Sequence, residues 1–201
     1  MVTTIQEMST EEILSAGDWY REAHIFSQYL ATTYDTTLEI AAGVISALSP
    51  RERWERNKRY AETVLDRRNE LESLSAENAA EILRMTMRSN VVMAVLISRG
   101  SDIDSTLTGT KRRSFYNNII APDSSDSVTV DTWMQRAVMI LTGWTLKETN
   151  SFVVASRTMT GGTGVGYIAI AEAARLAASR LNVIPLKVQA LYWIAVRGKA
   201  A

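Results

Sequence analysis

An all-α fold follows from three features of this 201-residue chain. It contains only three prolines and ten glycines, whereas Ala, Leu, Glu and Arg, all strong helix formers, are abundant. Apolar residues recur at helical spacing behind Ser, Thr or Asp starts, several with a Glu three positions on, which is the pattern of a capping box. The alternation that marks a strand occurs only at Val128 and Val130. Together these predict roughly nine helices in one domain over residues 1–201, or two lobes sharing the chain.

Each element has a local reason. Ser9-Thr-Glu-Glu12 is a capping box that opens a short helix, and Asp18 caps a second one in which Trp19, Ala23, Phe26, Leu30 and Tyr34 share a face. Thr36-Thr-Leu-Glu39 opens the next, whose run from Ile40 to Leu48 is apolar or small at almost every position and therefore central. Gly43 inside it costs about 1 kcal/mol against Ala, which points to close packing on a neighbour. Ser49-Pro50-Arg51-Glu52 reads as a third box, with Pro at the first helical position and a charged helix from Arg51 to Ser73. Ser75-Ala-Glu starts a helix through Ile82 and Met85, and Val91 to Ile97 is a short apolar helix ended by Gly100.

Farther on, Gly109 suits a tight turn, and the helix from Lys111 ends before Pro122. Asp131 starts a helix with Trp133, Met134, Ala137 and Leu141 on its apolar side. Thr145-Leu-Lys-Glu148 is a fourth capping box. Gly161-Gly-Thr-Gly-Val-Gly166 is a connector and not a phosphate loop, because no strand precedes it and no Gly-Lys-Ser/Thr follows. An Ala-rich helix from Tyr167 to Leu181 and a last helix from Pro185, burying Val188, Leu191, Tyr192 and Ala195, complete the chain.

Composition removes several classes of function. With no cysteine, disulfides and thiol catalysis are excluded. His24 is the single histidine, which rules out the usual zinc sites and leaves it a partly buried structural residue. No apolar run approaches the roughly 18–20 residues of a membrane span. The N-terminus lacks the basic and apolar regions of a secretory signal, so a soluble, cytoplasmic protein with no membrane partner is expected. The formal net charge is zero but unevenly spread. Residues 1–48 hold seven acids against Arg21, while residues 150–201 hold six bases against Glu172. A basic end can neutralise a few phosphates; it is equally consistent with a solvated face that has no partner.

Chemistry concentrates in LTGTKRRSFYNNIIAPDSSDSVTVDTWMQRAVMIL, Leu107 to Leu141. Two accounts of Asp131 stand at this level. It is a favoured helix N-cap, a role worth about 1 kcal/mol. It is also an acid placed after a glycine turn, a helix and a loop. That order, with "VDTWMQR" following, resembles the active-site segment of the helix-hairpin-helix, endonuclease III-type DNA glycosylases, in which a "VDTHVxR"-like segment carries the catalytic aspartate. Asp131 and Arg136 fall on matching positions. The earlier block IAAGVISALSPRERWERN, Ile40 to Asn57, is similar to that superfamily's buried helix and following turn. With Trp19-Tyr20 and the closing PLKVQALYWIAVR, the chain also resembles small phage-encoded members.

The resemblance implies a two-lobed glycosylase-like fold, dividing the chain into 1–35 with 145–201, and 36–144. It also implies double-stranded DNA as partner, with a flipped base as substrate and no cofactor. The absence of cysteine excludes the iron–sulfur cluster of many relatives. It assigns catalysis to Asp131, with Lys111 near the lysine of the lyase-active members. Gly109, Thr110, Lys111, Arg112 and Arg113 would hold DNA at the turn, although only Gly109 stands where the family carries a Gly-x-Gly pair. Arg51 and Arg53 would approach DNA from the earlier turn. Trp54, Trp133 and Tyr20 are candidates for the base pocket, and each is equally a residue type that fills a core. Three functions compete at this stage: a monofunctional N-glycosylase, a phage enzyme of DNA base hypermodification on the same scaffold, and a catalytically silent module binding DNA or a host protein.

Overall fold

In a computed structural model of the chain, the residues described are 5, 10–141 and 165–197. Ten helices cover most of them: α1 Thr10–Thr33, α2 Leu38–Leu48, α3 Trp54–Asp66, α4 Ala76–Leu83, α5 Arg88–Ser98, α6 Ile103–Thr106, α7 Thr110–Ile120, α8 Thr132–Leu141, α9 Val165–Leu181 and α10 Pro185–Arg197. The described residues contain no strand, and none of their helices is long and apolar enough to cross a membrane. The protein is all-α. The Thr145 box and the glycines from Gly161 to Gly164 lie outside the described residues, as do the side chains of Arg136, Ala137, Leu141 and Ala195.

Two compact units divide the chain, Met1–Arg21 with Gly109–Ala201, and Glu22–Thr108. The unit Glu22–Thr108 is organised on α2, which packs most extensively on α5 and next on α3. Every residue of α2 from Ala41 to Leu48 is buried. The helix starts where Thr37 accepts the Ile40 N–H at 3.2 Å, one residue later than a cap at Thr36. Gly43 faces Ile97 and Ile103, so the expected close approach is real and involves α5 and α6. Asn57, 2 % exposed, donates from Nδ2 to the Ile45 carbonyl and ties α3 to α2. Arg99 closes the far side by donating to the carbonyls of Leu71 and Leu74 at 2.5 and 2.9 Å.

Four predicted boundaries are corrected. Asp18 does not cap a second helix: α1 is continuous, and Asp18 lies inside it beside Arg21. The Ser49-Pro50-Arg51-Glu52 box does not form. The Ser49 hydroxyl points back to the Ser46 carbonyl at 3.0 Å, ending α2, and Arg51 takes a positive φ of 67° that no helix allows. Helix α3 therefore begins at Trp54 and ends at Asp66, where a turn held by the Arg67–Glu70 pair replaces the expected continuation. By contrast, Ser75 caps α4 through the Asn78 N–H, Gly100 ends α5 at φ +85°, and α10 starts on Pro185. Helix α4 stops at Leu83 instead of reaching Met85, because Arg84 turns left-handed at φ +44°.

A Cβ at position 43 would sit 2.9 Å from Cγ2 of Ile97, a stiff, fully buried β-branched side chain. Overpacking of this kind costs about 1–3 kcal/mol, more than the ~1 kcal/mol that Ala gains in helix propensity. Gly43→Ala should therefore lower stability by roughly 1 kcal/mol in denaturant melts, although Ala is the better helix former.

Candidate active site around Asp131

The geometry around Asp131 is built within the unit that joins the chain ends to residues 109–201. Helix α7 stops at Ile120 because Pro122 cannot continue it, and Ala121 leaves the helical region at φ −127°. The loop that follows is held from beneath by Asn118, a fully buried side chain of α7. Its Oδ1 accepts the Ser125 hydroxyl at 2.7 Å, and its Nδ2 donates to Thr129 Oγ1 at 3.2 Å. Val128 and Val130 are buried, as their spacing predicts, and Thr129 between them is buried too.

Backbone buried without a strand partner needs other hydrogen-bond partners. Tyr167 from α9 supplies them: its hydroxyl donates to the Val128 carbonyl at 2.8 Å and accepts the Val130 N–H at 3.3 Å, with Ser114 Oγ 3.1 Å away. The Val128 carbonyl and the Val130 N–H are thus both held, the second one residue before Asp131.

Asp131 does cap α8. Its Oδ1 accepts the N–H groups of Trp133 and Met134 at 2.9 and 2.8 Å, and its carbonyl accepts that of Gln135 at 3.1 Å. Its other oxygen, Oδ2, accepts the indole N–H of Trp193 from α10 at 3.2 Å. The carboxylate and Trp193 are both partly exposed. Trp19, also partly exposed, lies 6.5 Å from Trp193 between ring centroids, 5.7 Å from Phe115 and edge-on to Tyr20 at 4.8 Å. An acid with an indole bonded to one oxygen and a second indole nearby can hold a flat, electron-poor ring or a developing positive charge.

The other residues singled out in the sequence fall as follows. Trp133 is partly exposed on the first turn of α8. Tyr20, only 2 % exposed, belongs to the core: its hydroxyl donates to Gln189 Oε1 at 2.6 Å, and its ring packs on Trp19 and Phe115. Gly109 has the positive φ, +91°, that its turn requires, and no side chain caps α7 there. Thr110 and Arg113 are exposed, and Lys111 is partly so. An open depression of about 410 Å³ is lined by Gly109, Thr110, Arg113, Ser114 and Asn117. Arg112 is partly buried over the turn, and burial pulls its guanidinium below the ordinary arginine value.

Arg51, Arg53 and Trp54 belong to the Glu22–Thr108 unit. Both arginines are exposed; Trp54 meets Phe26 edge-on at 6.0 Å, with Lys58 Nζ 5.8 Å from its ring. His24 is partly buried, with Nε2 3.0 Å from Gln28 Nε2. Sequence reasoning did not single out Trp193 or Tyr167 for this site. Both reach Asp131 or its loop from helices far along the chain, and a half-polar aromatic in an apolar helix was the one available signal. Among the described residues, no cluster of three or more His, Cys, Asp or Glu could hold a metal ion.

Loss of hydration pushes three tyrosine hydroxyls of this unit upward: Tyr20 well beyond the ordinary range, Tyr192 up to about 12, and Tyr167 to a lesser degree. In the unfolded chain these groups ionise near pH ~10. The folded state holds its protons longer, so this contribution to stability is complete below that pH and is lost as pH rises through the folded values. Urea melts should show stability falling between about pH 10 and 12, and Tyr20→Phe should make the fall shallower.

Neither a curated protein nor a solved structure matches the chain. One family does, over residues 1–200, and on that match the chain belongs to the family of unknown function DUF7178.

Proposed function

We propose that this protein is a DNA N-glycosylase-like hydrolase that acts on a modified base, with Asp131 as its working carboxylate. The observation that carries the reading is the carboxylate itself. It is fixed by two backbone N–H groups and one indole N–H, and it sits at the end of a glycine turn, helix and loop of the kind found in helix-hairpin-helix glycosylases. A stacked base cannot be reached inside a duplex, so the substrate nucleotide must be flipped out before reaction. As the bond between C1′ and the base nitrogen breaks, positive charge develops on the sugar. A pre-oriented carboxylate stabilises that charge and directs the attacking water, whose oxygen ends on C1′ while its proton ends on the departing base.

The turn at Gly109 has the companion role of binding the phosphate backbone. Support comes from the open depression over the start of α7, which exposes Thr110 and Arg113 beside Ser114 and Asn117. Backbone N–H groups at a helix start favour an anion, and such contacts position the protein without reading sequence. Lys111 contributes charge in this reading and forms no covalent bond to the sugar.

A second reading, a DNA- or protein-binding module on the same scaffold, is favoured by the complete capping role of Asp131 Oδ1 and by the zero net charge. A base-hypermodifying enzyme would use the same carboxylate and differ in its product. Incubation with ordinary and phage-modified duplex DNA, followed by mass spectrometry of released bases, separates the three: free base, altered base retained in the strand, or unchanged DNA.

With a substrate in hand, Asp131→Asn should reduce base release by several orders of magnitude and leave DNA affinity intact, with the cap of α8 kept because Asn also caps well. Release at the wild-type rate would end the catalytic assignment. Borohydride should trap no covalent adduct with the wild-type protein; a trapped adduct that disappears in Lys111→Gln would make the enzyme a lyase. Gly109→Val should weaken DNA binding beyond its effect on stability, because a β-branched residue tolerates positive φ poorly. Arg113→Ala should flatten the log–log salt dependence by about one unit if it removes one phosphate contact.

A further inference from the structure

We infer that Trp193 is the positioning residue of the site and that it designates Oδ2 of Asp131 as the atom that works on substrate. The inference deepens the glycosylase reading and rests on it for the word "substrate", but its geometric half stands alone.

A carboxylate oxygen offers about two lone-pair directions for hydrogen bonds. Oδ1 uses both on the N–H groups of Trp133 and Met134, at 2.9 and 2.8 Å. It is therefore committed to the start of α8 and unavailable to a ligand. Oδ2 receives a single donor among the described residues, the indole N–H of Trp193 at 3.2 Å. Among the described residues one acceptor direction is left on the side chain, and it lies on Oδ2.

The indole does two things there. It stops rotation of the carboxylate about its Cβ–Cγ bond together with the two backbone donors, so that the remaining direction is fixed in space. It is also a donor that cannot turn into an acceptor, since an indole N–H has no lone pair to offer. A water in its place could turn to accept as well as donate, whereas the indole accommodates only an accepting Oδ2. Trp193 reaches this position from α10 in a helix whose neighbours Leu191 and Tyr192 are buried, which gives the indole a rigid mount. Preorganisation of this type is what makes a charge-stabilising group effective in a transition state.

The geometry also fixes what Asn at position 131 must do. Its amide oxygen has to serve the two backbone N–H groups, which puts the NH2 opposite the indole N–H. Two donors then face each other. Asp131→Asn keeps the cap and breaks the indole bond, while Trp193→Phe keeps an aromatic ring on Trp19 and removes only the donor.

The test uses the full-length chain labelled with 15N at tryptophan. Trp193→Phe identifies the Trp193 indole cross-peak among the five by its disappearance. In Asp131→Asn that cross-peak should move to lower proton shift and its exchange with water should quicken, while the Trp54 cross-peak, from the other unit, stays in place. A Trp193 cross-peak unmoved by Asp131→Asn overturns the inference. On a substrate that the wild-type protein cleaves, Trp193→Phe should lower kcat by 10-fold or more with KM within about 2-fold, the pattern of a lost transition-state interaction. An unchanged kcat also overturns it. If the cross-peak moves as expected but wild-type protein releases no base from any DNA, the glycosylase reading fails while the fixed carboxylate and its indole partner stand.

Discussion

Three residues of irregular backbone, Val128 to Val130, are buried in an all-helical protein, with no strand among the described residues to pair with them. A buried peptide group left without a partner costs about 1–3 kcal/mol, comparable with what one valine gains by burial. The segment survives because one hydroxyl does the work of a neighbouring strand. Tyr167 donates to the carbonyl at one end and accepts the N–H at the other. Asn118 takes the Thr129 side chain between them. The placement of Asp131 depends on this arrangement, since the residue next to a buried, doubly anchored peptide has little freedom to move. A tyrosine at this position also has to stay neutral to donate, and burial, by raising its pKa, favours that state.

The Glu22–Thr108 unit shows a different constraint, that of close helix approach. Helix α2 is buried over eight consecutive residues, which for a helix means neighbours on every side. Only a residue without Cβ fits where α2 meets Ile97 and Ile103, so the propensity lost at Gly43 is offset by packing. Two polar side chains inside this unit bond to backbone: Asn57 through Nδ2 to the Ile45 carbonyl, and Arg99 to those of Leu71 and Leu74. The first joins two helices, and the Arg99 contacts hold the turn at Leu71 and Leu74, which has no regular structure of its own.

Much of the local structure was legible because its causes are local. Ser75 and Gly109 act within four residues of themselves, and Pro122 and Pro185 impose their limits on the next or preceding turn. The errors were local too. Ser49 has the composition of an N-cap, but its hydroxyl finds the i−3 carbonyl of the helix it ends. A serine can bond in either direction, and spacing does not say which. Asp18 likewise has the chemistry of a cap and lies within a continuous helix instead. The site was legible only in its acid. Tyr20 and Gln189 are 169 residues apart, and Trp193 is 62 residues from Asp131. Periodicity grouped Trp19, Phe26 and Tyr34 on one face of α1 and Tyr192 on the buried side of α10, but it singled out neither Tyr20 nor Trp193 and did not say which polar tip met which partner. Helical pattern carries burial and no pairing information.

The two accounts of Asp131 that the sequence leaves open, cap and catalyst, are not alternatives once the hydrogen bonds are divided between its oxygens. Capping occupies Oδ1 and contributes stability; it also immobilises the side chain, which a reactive carboxylate needs. An aspartate that served α8 alone would leave Oδ2 to water. Here Oδ2 takes an indole N–H from a helix that has no part in capping α8. Stability of α8 does not require that second contact, since Oδ1 already satisfies the two backbone donors. The Trp193 bond joins α10 to α8 through the oxygen that capping leaves, so one carboxylate serves both the start of α8 and its packing on α10.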